Sequence, residues 1–125
     1  MKKRKICVVI NSRANYARIK SFLIESKKNK NLDISIILGA SAVLHRFGSI
    51  QKQIHADGFK SAFTVNTIVE GDEPVNMAKS TALGLIELCN AFKILKPNVV
   101  VVIADRFENL SVAIAASYMN ICVAH

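Results

Sequence analysis

The sequence predicts an α/β fold: a five-stranded parallel sheet in the order 3-2-1-4-5, with helices on both faces. Three observations predict it. Residues 6–10 and 99–103 are unbroken apolar runs rich in β-branched side chains, the signature of strands buried on both faces. Such runs alternate with segments of helical period in a β-α-β-α-β-α-β-α-β series, and alternation of this kind means parallel strands joined by crossover helices. Right-handed crossovers in the 3-2-1-4-5 order then put the first and fourth strands side by side.

Each element follows from its local pattern. Residues 5–10 form the first strand and 11–16 the loop out of it. A helix over about 14–28 presents Tyr16, Ile19, Phe22, Leu23 and Ser26 on one face. Residues 29–31 end it, 32–38 are a second strand, and Gly39 closes that strand. Residues 42–56 read as a helix broken at Gly48, with Ile50, Ile54 and Phe47 facing inward. Asp57-Gly58 is a turn, and a short third strand lies within 59–67. After the loop at 70–73, Pro74 suits the first position of a helix, where its missing N–H costs nothing. That helix spans about 74–95, with Val75, Ala78, Ala82, Leu85, Cys89 and Phe92 at three-and-four spacing. Gly84 inside it indicates close packing against a neighbour. Pro97 and Asn98 punctuate the turn into the 99–103 strand. A helix over about 108–119 and a fifth strand beginning at 121–124 complete the series, and His125 stands at its carboxyl end.

A chain of 125 residues is one domain with room for a real core, and 51% hydrophobic residues argue for a globular fold. No apolar run approaches the ~18 residues of a membrane span. The basic start at residues 2–5 is followed by only five apolar residues and no small-residue cleavage site, a strand rather than a signal peptide. Cys7, Cys89 and Cys122 are scattered in apolar contexts, without metal-ligand spacing. They read as buried free thiols of a cytoplasmic protein, and no metal is expected. The net charge of +8 is concentrated in residues 1–60, which carry 13 basic and 3 acidic side chains. The excess reads either as a solvated face, part of it complementing a helix C-terminus, or as an anionic-partner patch. No interleaved aromatics support nucleic acid as that partner. His45 and His55 lie in surface-helix pattern and are expected to be solvated.

The chemistry gathers where the two apolar strands end. Asp105, Arg106 and Glu108 put an acid, a base and another acid within four residues directly after the fourth strand. Ligand sites of open α/β sheets lie at the carboxyl ends of strands, near the switch point of the strand order. The loops at 11–16 and 105–108 would face each other there. Arg13 and Arg106 would then point into one crevice, where arginine forks match phosphate oxygens and helix N-termini favour anions. The alternative is that Asp105 caps the following helix and Arg106 is a solvated charge. The glycine-rich dinucleotide fingerprint and the P-loop are both absent. The residues by themselves therefore describe an α/β unit with an anion site.

The same residues carry a family resemblance. Ser12-Arg13-Ala14-Asn15-Tyr16, Gly39-Ala40-Ser41, Asp57-Gly58-Phe59, Val69 to Pro74 with Met77 to Ser80, Leu95-Lys96-Pro97, Asp105-Arg106-Phe107-Glu108, and Met119 to Ile121 through Ala124-His125 run through the chain in order. They resemble the N-terminal domain of the UDP-N-acetylglucosamine 2-epimerases, most closely the hydrolysing branch tied to sialic-acid-type sugars. The resemblance implies a Rossmann-like domain that is the N-terminal half of a GT-B fold, with residues 1–125 as that half and the second domain absent. It implies a UDP-sugar bound between two domains, with Arg13 and Arg106 on the nucleotide diphosphate, Asp105 catalytic and His125 in substrate contact. The implied reaction eliminates UDP to a 2-acetamidoglucal and then adds water at C1 with inversion at C2. No cofactor, nucleic acid or membrane partner is implied; a homo-oligomer is implied for the complete enzyme.

Some positions depart from the family pattern: Ala104 stands where a glycine is usual, Asn15 replaces an acid, and Ala17 a glycine or serine. Family chains continue into a Gly-Gly-Glu loop with a second catalytic carboxylate and then a whole further domain. The expectation is therefore a fragment inactive by itself. A non-catalytic nucleotide-sugar-binding or interaction module is the alternative, and a nucleic-acid-binding domain ranks behind both.

Overall fold

A computed structural model describes residues 2–44, 50–104 and 106–125. Five strands, β1 (Arg4–Ile10), β2 (Leu32–Leu38), β3 (Ser61–Thr64), β4 (Val99–Val101) and β5 (Cys122–Ala124), form one sheet in the order β3-β2-β1-β4-β5. Every pairing is parallel, as the alternation requires. The crossovers are α1 (Arg13–Lys28), α2 (Ile50–Ala56), α3 (Pro74–Leu95) and α4 (Glu108–Tyr118), with a 3₁₀ turn at Ala40–Val43. Phe47, Gly48 and His45, invoked for a broken helix, lie outside the described residues. His55 is exposed.

The period of two along β1 creates two cores. Cys7 and Val9 point to one face and join Leu88 and Phe92 of α3 and Val112 and Ala115 of α4. Val8 and Ile10 point to the other and meet Tyr16 and Leu23 of α1 and Ile54 of α2. Strand order reverses between β1 and β4, so α1 and α2 cover one face while α3 and α4 cover the other.

Four expectations are corrected. The β4 ladder stops at Val101 rather than at Ile103. Val102 still donates to the Ala124 carbonyl at 2.9 Å, but Ala104 turns left-handed at φ 63°, and the extended run cannot continue through it. Phe22 is 37% exposed; the buried face of α1 is Asn15, Tyr16, Leu23 and Ser26. On α3 the inner face is Ser80, Gly84, Leu88, Ala91 and Phe92, while Val75, Ala78 and Ala82 are exposed. The cause is Gly84: a Cβ there would sit 2.8 Å from Ser111 Oγ, so the glycine seats α3 on α4 and thereby sets the rotation of the helix. Finally, only Cys7 is a buried thiol, its pKa pushed up to about 12 by desolvation. Cys89 is half-buried. Cys122 is exposed because β5 is an edge strand.

Candidate functional site

Two loops meet at the carboxyl edge of the sheet where β1 and β4 lie side by side. The first leaves β1 through Asn11 and Ser12. Ser12 is extended at φ -161° and caps α1, its Oγ accepting the Asn15 N–H at 3.1 Å. Asn15 is buried, and its Oδ1 accepts from the Asn11 backbone N–H at 3.1 Å. The Asn11 carbonyl in turn accepts from Ser41 Oγ at 3.0 Å. Asn15, where the family pattern has an acid, is thus a structural side chain here. Arg13 occupies the first position of α1 and is exposed, beside the unpaired N–H groups that begin the helix.

The second loop connects β4 to α4. Asp105, the expected catalytic aspartate, lies outside the described residues; Ala104 and Arg106 on either side of it are described. The N-cap position of α4 is Phe107, with no side-chain cap. Arg106 is committed to a neighbour two residues on: its Nε donates to Glu108 Oε2 at 2.9 Å and its Nη2 to Glu108 Oε1 at 2.8 Å. The Glu108 side chain is 8% exposed and the Arg106 side chain 43% exposed. The bidentate carboxylate raises the Arg106 pKa further, so the guanidinium stays charged throughout the physiological range. Among the described residues Nη1 makes no hydrogen bond, and the Arg106 side chain is half-exposed.

Asn109 ties the two loops together. Its Nδ2 donates to the carbonyls of Ile103 at 2.9 Å and Ala104 at 2.6 Å, and its Oδ1 accepts from Asn11 Nδ2 at 3.4 Å. His125, at the carboxyl end of β5, brings Nε2 within 3.2 Å of the Ala104 carbonyl. Arg106 also forms the rim of a cleft of about 300 Å³ between this loop and the start of α3, with Glu70, Asp72, Asn76, Ser80 and Glu108 among its walls. Arg13 is not among the lining residues of that cleft. The structure thus brings Arg106, Glu108 and His125 together around the β4–α4 connection and sets Arg13 at the start of α1, next to the loop after β1. Asn109 and the pairing of Glu108 with Arg106 were missed by sequence reasoning. The short spacing of Arg106 and Glu108 is the one signal that hinted at the pair, and nothing in the pattern around Asn109 marks it out.

The wall of the cleft is itself locally built. Val69 N donates to Ser80 Oγ at 2.8 Å, and Asn76 Nδ2 to the Glu70 carbonyl at 3.1 Å. Glu73 and Asn76 form the capping box of α3 with Pro74 behind them, which fixes where the helix and its free N–H groups begin. Among the described residues no group of His, Cys, Asp and Glu is placed to hold a metal ion, and no helix is long and apolar enough to cross a membrane.

Comparison with known proteins gives this site its context. The family described as UDP-N-acetylglucosamine 2-epimerase matches residues 24–125. The GDP/UDP-N,N'-diacetylbacillosamine 2-epimerase (hydrolyzing) of Campylobacter jejuni is 33% identical over 125 residues, covering 100% of this chain and 32% of that protein. The crystal structure of a UDP-N-acetylglucosamine 2-epimerase superposes with a TM-score of 0.85 at 26% identity, over 99% of this chain and 33% of that one. The UDP-GlcNAc 2-epimerase from Neisseria meningitidis, solved bound to UDP-GlcNAc, superposes with a TM-score of 0.79 over 97% of this chain and 31% of that one. Its identity is 19%, and the likeness is one of fold. The chain therefore spans about a third of the length of the relatives it matches. By the extent of these matches, the chain belongs to the UDP-N-acetylglucosamine 2-epimerase family.

Proposed function

We propose that residues 1–125 are the N-terminal domain of a two-domain hydrolysing 2-epimerase acting on a UDP-linked 2-acetamido sugar of the sialic-acid-type branch. The observation that carries this reading is identity of 33% across the whole chain to a hydrolysing relative. The charged loop after β4, at the switch point, supports it.

In this reading Arg106, held by Glu108, offers its remaining guanidinium edge to the diphosphate, and Arg13 at the start of α1 supplies a second cation. Charge that develops on the departing UDP is stabilised by such fixed donors. Asp105 works at C2 of the sugar: its carboxylate removes the proton as the C1–O bond to UDP breaks, and the electron pair forms the C1–C2 double bond of a 2-acetamidoglucal. Water then adds at C1, and C2 is reprotonated from the opposite face. His125 contacts the substrate from the end of β5. The second carboxylate belongs to the Gly-Gly-Glu loop into which family chains continue and most of the uridine pocket to the second domain beyond it, so residues 1–125 by themselves are inactive. A cytoplasmic location and a homo-oligomeric complete enzyme are part of the same proposal.

The test is a coupled assay for UDP release. It compares residues 1–125 with a chimera in which they replace the matching third of the Campylobacter jejuni enzyme, using UDP-N-acetylglucosamine and UDP-N,N'-diacetylbacillosamine. Turnover by the chimera is expected on one of them, together with silence from the isolated chain and loss of turnover in Asp105→Asn. Comparable turnover by the isolated chain overturns the domain assignment, and full activity of Asp105→Asn overturns the role given to that residue. A chimera that binds UDP but never turns over favours the non-catalytic module.

A further inference from the structure

We propose that Asn109 is a positioning residue of this site: its amide holds the Ile103–Ala104 backbone in a left-handed turn and so fixes where the chain leaves β4 toward Arg106. The proposal rests on the reading above only for what Arg106 does; the positioning stands on geometry.

In an extended strand successive carbonyls point to opposite sides. Here the carbonyls of Ile103 and Ala104 both meet one nitrogen, Asn109 Nδ2, at 2.9 and 2.6 Å. The extended run reverses at Ala104, whose φ is 63°, and this brings the two carbonyls to one side. An L-residue avoids this region. The two hydrogens of a primary amide match two adjacent carbonyls, which neither a carboxylate nor a hydroxyl does.

The orientation of the amide is determined, because the reverse would set Oδ1 against two carbonyl oxygens. Asn11 Nδ2, 3.4 Å from Asn109 Oδ1, faces the acceptor side. Through Asn11, whose backbone N–H is bonded to Asn15 Oδ1, the turn is keyed to the first turn of α1, which carries Arg13. From the other side His125 Nε2 reaches the same Ala104 carbonyl at 3.2 Å. Side chains from α4 and from the residue after β5 thus converge on one carbonyl, that of Ala104. A family glycine at position 104 would adopt this turn unaided; with alanine there, the amide of Asn109 supplies the restraint.

Asn109→Ala, Asn109→Asp and Ala104→Gly, with the Asn109→Ala/Ala104→Gly double variant, test this in the 125-residue chain. The readouts are thermal melting and the ¹H–¹⁵N amide spectrum of that chain, and UDP titration of the same variants in the chimera described above. Asn109→Asp is nearly isosteric but removes both donors and sets a carboxylate against two carbonyls. It is expected to melt lower than Asn109→Ala, itself about 3–6 °C below wild type. The amides of residues 104 and 106 are expected to shift while those of β2 and β3 stay in place. UDP affinity is expected to fall about 5- to 10-fold in Asn109→Ala, and most of that loss is expected to return on the Ala104→Gly background. Strict additivity in melting of the two substitutions, or an Asn109→Asp chain that melts like wild type, overturns the proposal. If the chimera with the wild-type sequence fails to bind UDP, the ligand assignment fails; the melting order and the amide shifts still decide whether Asn109 sets the turn.

Discussion

Replacing Ala104 with glycine is expected to stabilise the chain by ~0.5–1 kcal/mol. At φ 63° the Cβ of Ala104 crowds the following carbonyl, a conformation that costs an L-residue about 1–2 kcal/mol. Glycine removes that cost and adds ~0.4–1 kcal/mol of freedom to the unfolded chain, which leaves the net gain. Ala40 provides the contrast. It is also left-handed, at φ 47°, but its methyl is fully buried. Ala40→Gly relieves the same strain while forfeiting the burial of a methyl, ~0.8 kcal/mol, so its net effect is close to zero. Urea unfolding reads both. With a slope of ~1–3 kcal/mol/M, Ala104→Gly should raise the midpoint by about 0.2–1 M at unchanged slope, and Tm by ~2–6 °C. A midpoint at or below wild type would refute the strain argument. An equal gain from Ala40→Gly would refute the role given to burial.

Three further outcomes follow from particular contacts. Gly84→Ala gains ~1 kcal/mol of helix propensity but drives a methyl into Ser111, whose Oγ is held by the Thr81 carbonyl at 2.8 Å. Overpacking of ~1–3 kcal/mol should win, so thermal melting should show net destabilisation of up to ~2 kcal/mol, and a gain would show that the helices part freely. Arg106→Ala should lose ~1–3 kcal/mol, because a buried Glu108 carboxylate is left uncompensated while the arginine itself is half-exposed. Adding Glu108→Gln should recover part of it in urea unfolding, and no recovery would mean the charge is not the cause. Asp57 accepts from Tyr16 Oη at 2.5 Å and from Gln53, and pairs with Lys20 at 3.1 Å, which together hold its pKa below the usual carboxylate range. A carboxylate depressed on folding contributes stability above its unfolded pKa of ~4, and that contribution is lost as pH falls through the folded value. Tyr16→Phe should therefore melt lower than wild type at pH 7 and close the gap below about pH 4; a gap that widens in acid would reverse the assignment.

How far the site was legible follows from the same contacts. Its location at the ends of β1 and β4 could be read because Val99 to Ile103 and Ile6 to Ile10 are apolar runs that stop at charged or capping residues. What Arg106 does there could not, since its fork binds Glu108 through side-chain geometry that no periodicity encodes. Asn109 was invisible for a related reason. Its partners are backbone carbonyls, and any residue type supplies those.

The sequence by itself determined the order and type of the elements, the start of α3 at Pro74 and the parallel strand order. These follow from local patterns, and the handedness of crossovers turns alternation into topology. Only the tertiary structure decided the rotation of α3, the early end of β4, the exposure of Cys122 and the pairing of Arg106. Each depends on how closely two distant or separately turned segments approach, as Gly84 does on Ser111. Close approach is a property of packed surfaces, and a one-dimensional pattern of apolar and polar residues carries no measure of it.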